Sequence, residues 1–266
     1  MAQLASGLRD ERALVANMLA IIGGSGLAQL DSLTLTHREI ARTPWGEPSC
    51  ALSYGLLSGT EVIFIARHGY GHTIPPHLIN YRANLWALKE AGASAIIAVA
   101  AVGGIAAECG PGVLAVPSNL IDYTYSRAMT YFEGESTVMP QAVHHIDFTE
   151  PYDVALRQRL LAAAQRAGEA VIDGGIYGVT QGPRLETAAE IARMERDGCT
   201  LVGMTNMPEA ALARELDIPY ACLAVSVNHA AGKASSTHAI SVANMHEVMA
   251  DAMRRVNHIL SEVVKP

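Results

Sequence analysis

Apolar stretches of strand length alternate with amphipathic stretches of helix length along most of the chain. The apolar stretches predict strands at 19–22, 61–66, 94–102, 113–116, 176–180, 201–203 and 220–227. The amphipathic stretches predict helices at 78–91, 187–198, 208–216 and 242–263. Strands that alternate with helices in this way indicate an α/β fold, with a central, mostly parallel mixed sheet flanked by helices.

Two of these helices carry recognisable end signals. Gly92 follows the first helix and is suited to end it, because glycine adopts the left-handed backbone conformation found at many helix ends. Thr187 and Glu190 have the spacing of a capping box, in which each side chain pairs with the other residue's backbone N–H.

Residues 18–266 are predicted to form a single domain, since the chain has no internal repeat, low-complexity tract or linker rich in Pro, Gly or Ser. Its 266 residues are enough to bury one large core. Residues 1–17 are predicted to be a disordered N-terminal extension, to which we assign no function. They lack the long apolar segment of a signal peptide, and Met18 is an alternative start.

The amino-acid composition argues against a membrane protein and against a nucleic-acid-binding protein. Half of the residues are hydrophobic and 5% are aromatic, as expected where small aliphatic side chains fill the space between parallel strands and helices. No run of about 18 uncharged apolar residues occurs, so we expect no membrane span. A net charge of −7 argues against a nucleic-acid partner. The four cysteines are widely spaced and form no C-x-x-C pair, which favours a reduced, cytoplasmic location.

Polar motifs recur where the predicted strands end, after residues 22, 66, 102, 180, 203 and 227. In open α/β sheets, ligands bind beyond the carboxyl ends of the strands. The recurrence therefore predicts one site assembled from several strand ends.

The first motif is the glycine turn Gly23–Gly26, whose backbone N–H groups and Ser25 hydroxyl are suited to a phosphate. A tight strand-to-helix turn is an equally good interpretation of this segment alone. A dinucleotide site is disfavoured, because Gln29 stands where the third glycine of that fingerprint belongs. A lipase-type nucleophile elbow is disfavoured, because Leu27 replaces its last glycine.

The second motif places Arg67, His68 and His72 around two glycines at a strand end. Arg67 can grip two phosphate oxygens at once, so the motif predicts a local anion site inside an acidic protein. A metal site that includes His77 is disfavoured, since the glycines disrupt a helical ligand face and no carboxylate or cysteine is near. Surface histidines on a loop remain an alternative.

Three further strand ends carry polar groups whose types suit a ligand. Glu186 either stabilises a helix N-terminus or accepts a hydrogen bond from a ligand N–H. Thr205 can donate to a phosphate, and Met204 offers a polarisable wall for a sugar. Asn228 ends the last strand with an amide that both donates and accepts.

Together these residues resemble the family of trimeric purine nucleoside phosphorylases and methylthioadenosine phosphorylases. The resemblance runs from about Met18 to the C-terminus, with its motifs in the family's order. They are Ile-Ile-Gly-Gly-Ser-Gly-Leu at 21–27, Arg-His-Gly-x-x-His at 67–72, the segment 80–89, Gly-Pro-Arg at 182–184, Met-Thr-Asn-Met-Pro-Glu at 204–209 and the segment that begins at Asn228.

The resemblance implies a homotrimer that cleaves a purine nucleoside with inorganic phosphate as co-substrate and needs no metal or organic cofactor. It implies a phosphate site made by Ser25, Arg67, His68, Ala100, Ala101 and Thr205. Ala100 departs from the family's usual hydroxyl or amide side chain, so it offers only its backbone. Met204 would line the ribose, and His145 would reach into the 5′ pocket of a neighbouring subunit.

The resemblance also bears on the choice of base. Adenine-specific members carry two aspartates in the segment that here reads Asn228-His229-Ala230, and 6-oxopurine enzymes keep a glutamate at the position of Glu186. An Asn amide can donate to O6 and accept from N7–H, while Glu186 accepts from N1–H. Adenine would leave at least one of these groups unpaired, at a cost of about 1–3 kcal/mol. We therefore expect a 6-oxopurine base, with Asn228 and His68 as the catalytic residues.

At the sugar end, alignment with the family places Val242 where inosine-cleaving members keep a histidine, although a shifted gap would bring His238 close instead. A valine suits a methylthio group and would leave a hydroxyl unpaired. The residues expected around the base and those expected around the 5′ position of the sugar together predict methylthioinosine as the substrate. The alternatives are a general 6-oxopurine nucleoside phosphorylase acting on inosine and guanosine, a methylthioadenosine phosphorylase, and a nucleoside-binding protein without catalysis.

Overall fold

A computed structural model describes residues 18–30, 32–134, 138–237 and 242–265. The predicted extension at 1–17 and His238 lie outside the described residues. The backbone of Val242 is described as the first residue of a helix, whereas its side chain lies outside the description.

The structure confirms an α/β fold with one 11-stranded mixed sheet flanked by helices. The strands are β1 Met18–Gly23, β2 Leu33–Glu39, β3 Leu52–Leu57, β4 Thr60–Ala66, β5 Ala93–Gly104, β6 Leu114–Val116, β7 Asn119–Asp122, β8 Val171–Asp173, β9 Ile176–Val179, β10 Leu201–Gly203 and β11 Tyr220–His229. The helices are α1 Tyr81–Glu90, α2 Val154–Ala167, α3 Ala188–Arg196, α4 Asn206–Glu215 and α5 Val242–Val263.

Every predicted strand and helix is present, with bounds that differ by a few residues. The first helix begins at Tyr81 because the Asn80 side chain caps it by accepting a hydrogen bond from the N–H of Ala83. The capping box of Thr187 and Glu190 is formed as predicted.

The sequence reading missed β2, β3, β7, β8 and α2. Strand β2 is mostly exposed and lacks a regular apolar face, and β7 and β8 are only four and three residues long. Helix α2 could have been predicted from the residues at its two ends. Asp153 caps its start and Gly168 ends it in the left-handed conformation.

The central strand β5 positions the site, because one of its edges is interrupted. Strand β11 pairs along one edge of β5 from Ile96 to Gly104. On the other edge, β1 runs parallel and pairs as far as Ala98, while β10 runs antiparallel and pairs at Gly103 and Gly104. Among the described strands, none pairs with residues 99–102 on that second edge. The carboxyl ends of β1 and β10 thus approach this gap from opposite directions.

Two large apolar clusters cover the faces of the sheet. One includes α1 and α4 residues, and the other includes α2 and α5 residues. Within the described ranges, we find no helix with the length and apolar character needed to span a bilayer.

Packing of α5 should contribute strongly to stability. Ile259 on α5 is fully buried, whereas Ile40 is 84% exposed. We expect Ile259→Ala to lower the free energy of unfolding by about 2–5 kcal/mol, because it leaves a cavity in the core. Ile40→Ala is the matched control and should change it by less than about 0.5 kcal/mol. Chemical denaturation measures both, and equal losses would contradict the described packing.

Candidate functional site

A cavity of about 910 Å³ lies at the gap in β5. Its wall brings together most of the residues that the sequence singled out: Ser25, Arg67, His68, Ala100, Ala101, Glu186, Met204, Thr205, Asn228 and Ala230. Residues at the ends of β1, β4, β9, β10 and β11 therefore converge with the interior of β5 on one space, although β10 and β9 reach it antiparallel to β5. The strand ends therefore meet at the cavity from opposite directions rather than along one edge of the sheet.

Three predicted site residues are not in the described wall of this cavity. Strand β11 continues to His229, so the His229 side chain points away from the face shared by Asn228 and Ala230. Its ring lies beside Gly110, where a Cβ added to the glycine would be 3.1 Å from the His229 Cε1 atom. His145 is exposed on the segment before α2. The side chain of Val242 is outside the description.

Arg67, in the wall of the cavity, forms a buried ion pair with Glu209 behind it. Its Nε donates to Glu209 Oε1 at 2.7 Å and its Nη2 donates to Oε2 at 2.8 Å, and both side chains have no solvent exposure. The Nη1 group donates to the Val99 carbonyl at 3.0 Å. Tyr220 adds a third hydrogen bond to Glu209, at 2.8 Å. One N–H on each terminal nitrogen of Arg67 is left over for a ligand.

The glycine turn after β1 fits closely against this arginine. A Cβ on Gly24 would lie 2.5 Å from the Val99 carbonyl oxygen and 2.8 Å from Arg67 Nη1. A side chain there would displace the backbone or the guanidinium, so only glycine allows the turn to approach Arg67. The turn in this way brings the Ser25 hydroxyl to the same part of the cavity.

His68 is held as a neutral imidazole. Burial and the adjacent charge of Arg67 lower the pKa of His68 to about 4. Its Nδ1 lies 2.9 Å from the Ile74 carbonyl oxygen, and in the neutral ring this nitrogen must carry the proton to donate there. The other nitrogen, Nε2, is then an acceptor. It can receive a hydrogen bond from a hydroxyl of the sugar or from a protonated phosphate oxygen.

The part of the cavity around Arg67 and His68 therefore does not carry the excess positive charge of a cluster of free cations. The charge of Arg67 is balanced by Glu209, and His68 is neutral. What remains is a set of hydrogen-bond donors: the two spare N–H groups of Arg67 and the hydroxyls of Ser25 and Thr205. Such an arrangement favours an anion that fits the donors, rather than any anion attracted by net charge.

Elsewhere in the cavity wall, Glu186 is oriented by Thr180. The Thr180 hydroxyl donates to Glu186 Oε1 at 2.6 Å, which leaves the second carboxylate oxygen for a ligand. Burial raises the pKa of Glu186 above its ordinary value. Glu186 also borders a second cavity of about 360 Å³ on its far side.

The Asn228 amide is fixed in a similar way. Its Nδ2 donates to the backbone carbonyl of His229 at 2.6 Å. This bond sets the amide orientation and leaves Oδ1 as an acceptor with one N–H as a donor.

Met245 and Met249, four residues apart on α5, close another part of the wall with apolar side chains.

The sequence reading did not assign a role to Glu209, Thr180, Met245 or Met249. Glu209 stood inside a quoted motif, but its partner Arg67 is 142 positions away along the chain, and no pattern links the two. The methionine pair was detectable as an i, i+4 apolar pair on a predicted helix. Within the described ranges, no group of three or more His, Cys, Asp or Glu side chains could hold a metal ion.

Comparison with known proteins supports the resemblance seen in the sequence. The probable S-methyl-5′-thioinosine phosphorylase of Pseudomonas syringae pv. tomato is 53% identical over 245 residues, which cover 92% of this chain and 97% of the relative. The 6-oxopurine nucleoside phosphorylase of Pyrococcus furiosus is 43% identical over 241 residues, with 90% of each chain covered.

A solved structure gives the same result at the level of the fold. The methylthioadenosine phosphorylase from Schistosoma mansoni in complex with adenine superimposes with a TM-score of 0.88 at 30% identity, covering 93% of this chain and 91% of the other. Residues 18–265 match the Phosphorylase superfamily as a family. The fold, the converging strand ends and these matches agree, and the chain belongs to the Phosphorylase superfamily.

Proposed function

We propose that the protein cleaves S-methyl-5′-thioinosine with inorganic phosphate, giving hypoxanthine and 5-methylthioribose 1-phosphate. The observation that carries this proposal is that Asn228 and Glu186 line the same cavity, and that the paired aspartates expected of adenine-specific members are absent from the Asn228 segment. The name of the 53% identical relative from Pseudomonas syringae supports the same substrate.

The base would be recognised by complementary hydrogen bonds. The free oxygen of Glu186 accepts from N1–H, the remaining N–H of Asn228 donates to O6, and Asn228 Oδ1 accepts from N7–H. Adenine carries an amino group at C6 and no hydrogen on N1. It would therefore leave buried polar groups unpaired in this site.

The sugar would lie between Met204 and the apolar wall of Met245 and Met249. A thioether or methyl group packs well against methionine side chains, whereas a 5′-hydroxyl there would lose its hydrogen bond to water. This wall supports the methylthio substituent independently of the side chain of Val242, which we also place at this end.

Catalysis would proceed by cleavage of the bond between C1′ of the sugar and N9 of the purine, with phosphate bound below the sugar. The bonding electron pair leaves with the base, which takes up a proton from solvent at N7, and Asn228 stabilises the developing charge. Arg67, Ser25, Thr205 and the backbone at Ala100 and Ala101 hold phosphate, whose oxygen forms the new bond to C1′. His68 Nε2 accepts a hydrogen bond from a sugar or phosphate hydroxyl.

Other expectations from the resemblance belong to the same proposal. Phosphate is a co-substrate and no metal or organic cofactor takes part. The active protein is a homotrimer in which His145, exposed and outside the described cavity wall, serves a neighbouring subunit. A cytoplasmic location fits the four cysteines, all of which are free thiols.

A general 6-oxopurine nucleoside phosphorylase is the second candidate, favoured by the 43% identity to the Pyrococcus furiosus enzyme. It shares the proposed base recognition and differs only at the 5′ end. The methylthioadenosine and non-catalytic alternatives are disfavoured by the absent aspartates and by the complete set of donors around Arg67.

The test compares phosphate-dependent base release from methylthioinosine, methylthioadenosine and inosine at equal concentrations. We expect the highest kcat/KM for methylthioinosine, because only this substrate suits both ends of the cavity. Equal rates with inosine would contradict the apolar 5′ site, and faster release of adenine would contradict base recognition by Glu186 and Asn228. Release that does not depend on phosphate would contradict the phosphorolytic reaction itself.

Base selectivity should depend on pH through Glu186. Its pKa is raised by burial, so its carboxylate takes up a proton at a higher pH than an ordinary glutamate as the pH falls. The protonated group can donate to N1 of adenine and no longer strongly accepts from N1–H of hypoxanthine. We expect the ratio of kcat/KM for methylthioinosine over methylthioadenosine to fall as the pH is lowered, and to begin falling at a higher pH than the ordinary pKa of a glutamate would give.

Two variants control this measurement. Glu186→Gln should give a low ratio that does not change with pH, because the titrating group is gone. Glu133→Gln should keep the wild-type profile, since Glu133 pairs with Arg82 and does not line the cavity. A wild-type ratio that is flat with pH would contradict the role of Glu186.

A further inference from the structure

Arg127 lies on the segment that follows β7 and ties together two walls of the cavity without lining it. Its Nε donates to the Gln181 side-chain oxygen at 3.0 Å. Its Nη2 donates to the backbone carbonyls of Thr180 at 3.1 Å and Gln181 at 2.7 Å. These carbonyls belong to the segment that leaves β9 and carries Glu186.

The third nitrogen of Arg127 donates hydrogen bonds to the segment that follows β10. Nη1 donates to the carbonyls of Met204 at 2.8 Å and Met207 at 2.5 Å. These two carbonyls flank Thr205 along the chain, so the same guanidinium fixes the backbone on either side of a proposed phosphate donor. One side chain thus links the end of β9 to the end of β10.

A third segment is connected through Tyr81. The Arg127 guanidinium lies over the Tyr81 ring, 5.6 Å from its centroid. The Tyr81 hydroxyl donates to the carbonyl of Pro76 at 2.9 Å, and Pro76 lines the cavity. The stretch that follows His68 is therefore braced against the same residue.

The chemistry of these contacts requires an arginine. Among the residues that the structure describes, Arg127 forms no ion pair with a carboxylate. Its N–H groups bond to oxygens of the two strand-end segments, and Nη1 also donates to the Tyr81 hydroxyl at 3.5 Å. A lysine would keep the charge but present three donors from a single point, and these cannot reach acceptors on both segments.

We propose that Arg127 is a positioning residue that sets the spacing between the Glu186 wall and the Met204–Thr205 wall, and so sets base selectivity and phosphate binding together. The proposal rests on the proposed function of the cavity. Arg127 does not line the cavity, so it acts through the backbone that it holds. Displacement of site groups by about 1 Å is enough to lower kcat/KM about 100-fold.

The experiment compares Arg127→Met and Arg127→Lys with Arg157→Met. Arg157 is a matched control because it also donates to two backbone carbonyls, those of Val116 and Pro117, and is buried. It pairs with Asp173, and none of these partners lines the cavity. Melting temperature, KM for phosphate, and the ratio of kcat/KM for methylthioinosine over methylthioadenosine are measured for each.

We expect both Arg127 variants to raise KM for phosphate and to lower the selectivity ratio, with kcat/KM for methylthioinosine reduced about 100-fold. Arg157→Met should lower the melting temperature and leave KM and selectivity at their wild-type values. Wild-type selectivity and KM in Arg127→Lys would overturn the proposal, because charge alone would then suffice. Arg127→Met that loses only thermal stability, as the control does, would overturn it as well.

Gln181→Leu keeps the proposal testable if Arg127→Met does not fold. This change removes the side-chain oxygen that accepts from Arg127 Nε and from the Tyr125 backbone N–H, and it leaves the Arg127 bonds to Met204 and Met207 in place. Selectivity should fall while KM for phosphate stays at the wild-type value, and unchanged selectivity would overturn the proposal. Failure of the proposed function is a different result, since the wild-type protein would then release no base from any of the nucleosides.

Discussion

The buried ion pair between Arg67 and Glu209 is the interaction on which the site depends. Two charges without solvent exposure are tolerated when they pair with each other, and loss of one partner from such a pair costs about 3–5 kcal/mol. The pair joins the end of β4 to the start of α4, and the Tyr220 hydroxyl adds β11 to the same network. Three elements that are distant in sequence therefore meet at the Glu209 carboxylate.

This pairing also determines the chemistry of the anion site. Because Glu209 balances the charge of Arg67 and His68 is neutral, the cavity presents directed donors rather than an excess of positive charge. A phosphate held in this way is selected by shape and by hydrogen bonds. Its own negative charge stays available to stabilise a positively charged sugar in the transition state, as the proposed reaction requires.

The interrupted edge of β5 explains where the cavity lies. Strands β1 and β10 occupy the same edge from opposite directions and leave residues 99–102 between their ends. Into this gap come the glycine turn after β1, the Arg67 segment after β4, and the Met204–Thr205 segment after β10. A continuous parallel sheet would have no such opening along a central strand.

The amino-acid sequence predicted most of the buried strands, four of the five described α-helices and the strand-end motifs that form the cavity, but it did not predict β3 or the capped helix α2. Those features are local: an apolar run, a capping box or a glycine turn is readable from neighbouring residues. The partners of these motifs were not readable, because Arg67 and Glu209, or Arg127 and Met204, are paired only by the fold. His229 shows a different limit. It stood between two residues that do line the cavity, and only the continuation of β11 through position 229 reveals that its side chain lies on the other face.

Phosphate binding to Arg67→Lys tests most directly whether the Arg67 pair forms the anion site. The lysine keeps a positive charge beside Glu209, but it lacks the planar guanidinium that can donate to Glu209 and to an anion at the same time. Titration calorimetry with inorganic phosphate should show binding to the wild-type protein and to Arg157→Lys, and an affinity at least about tenfold lower for Arg67→Lys, the equivalent of one charge-assisted hydrogen bond. Equal affinity in all three proteins would contradict the assignment and place the phosphate elsewhere.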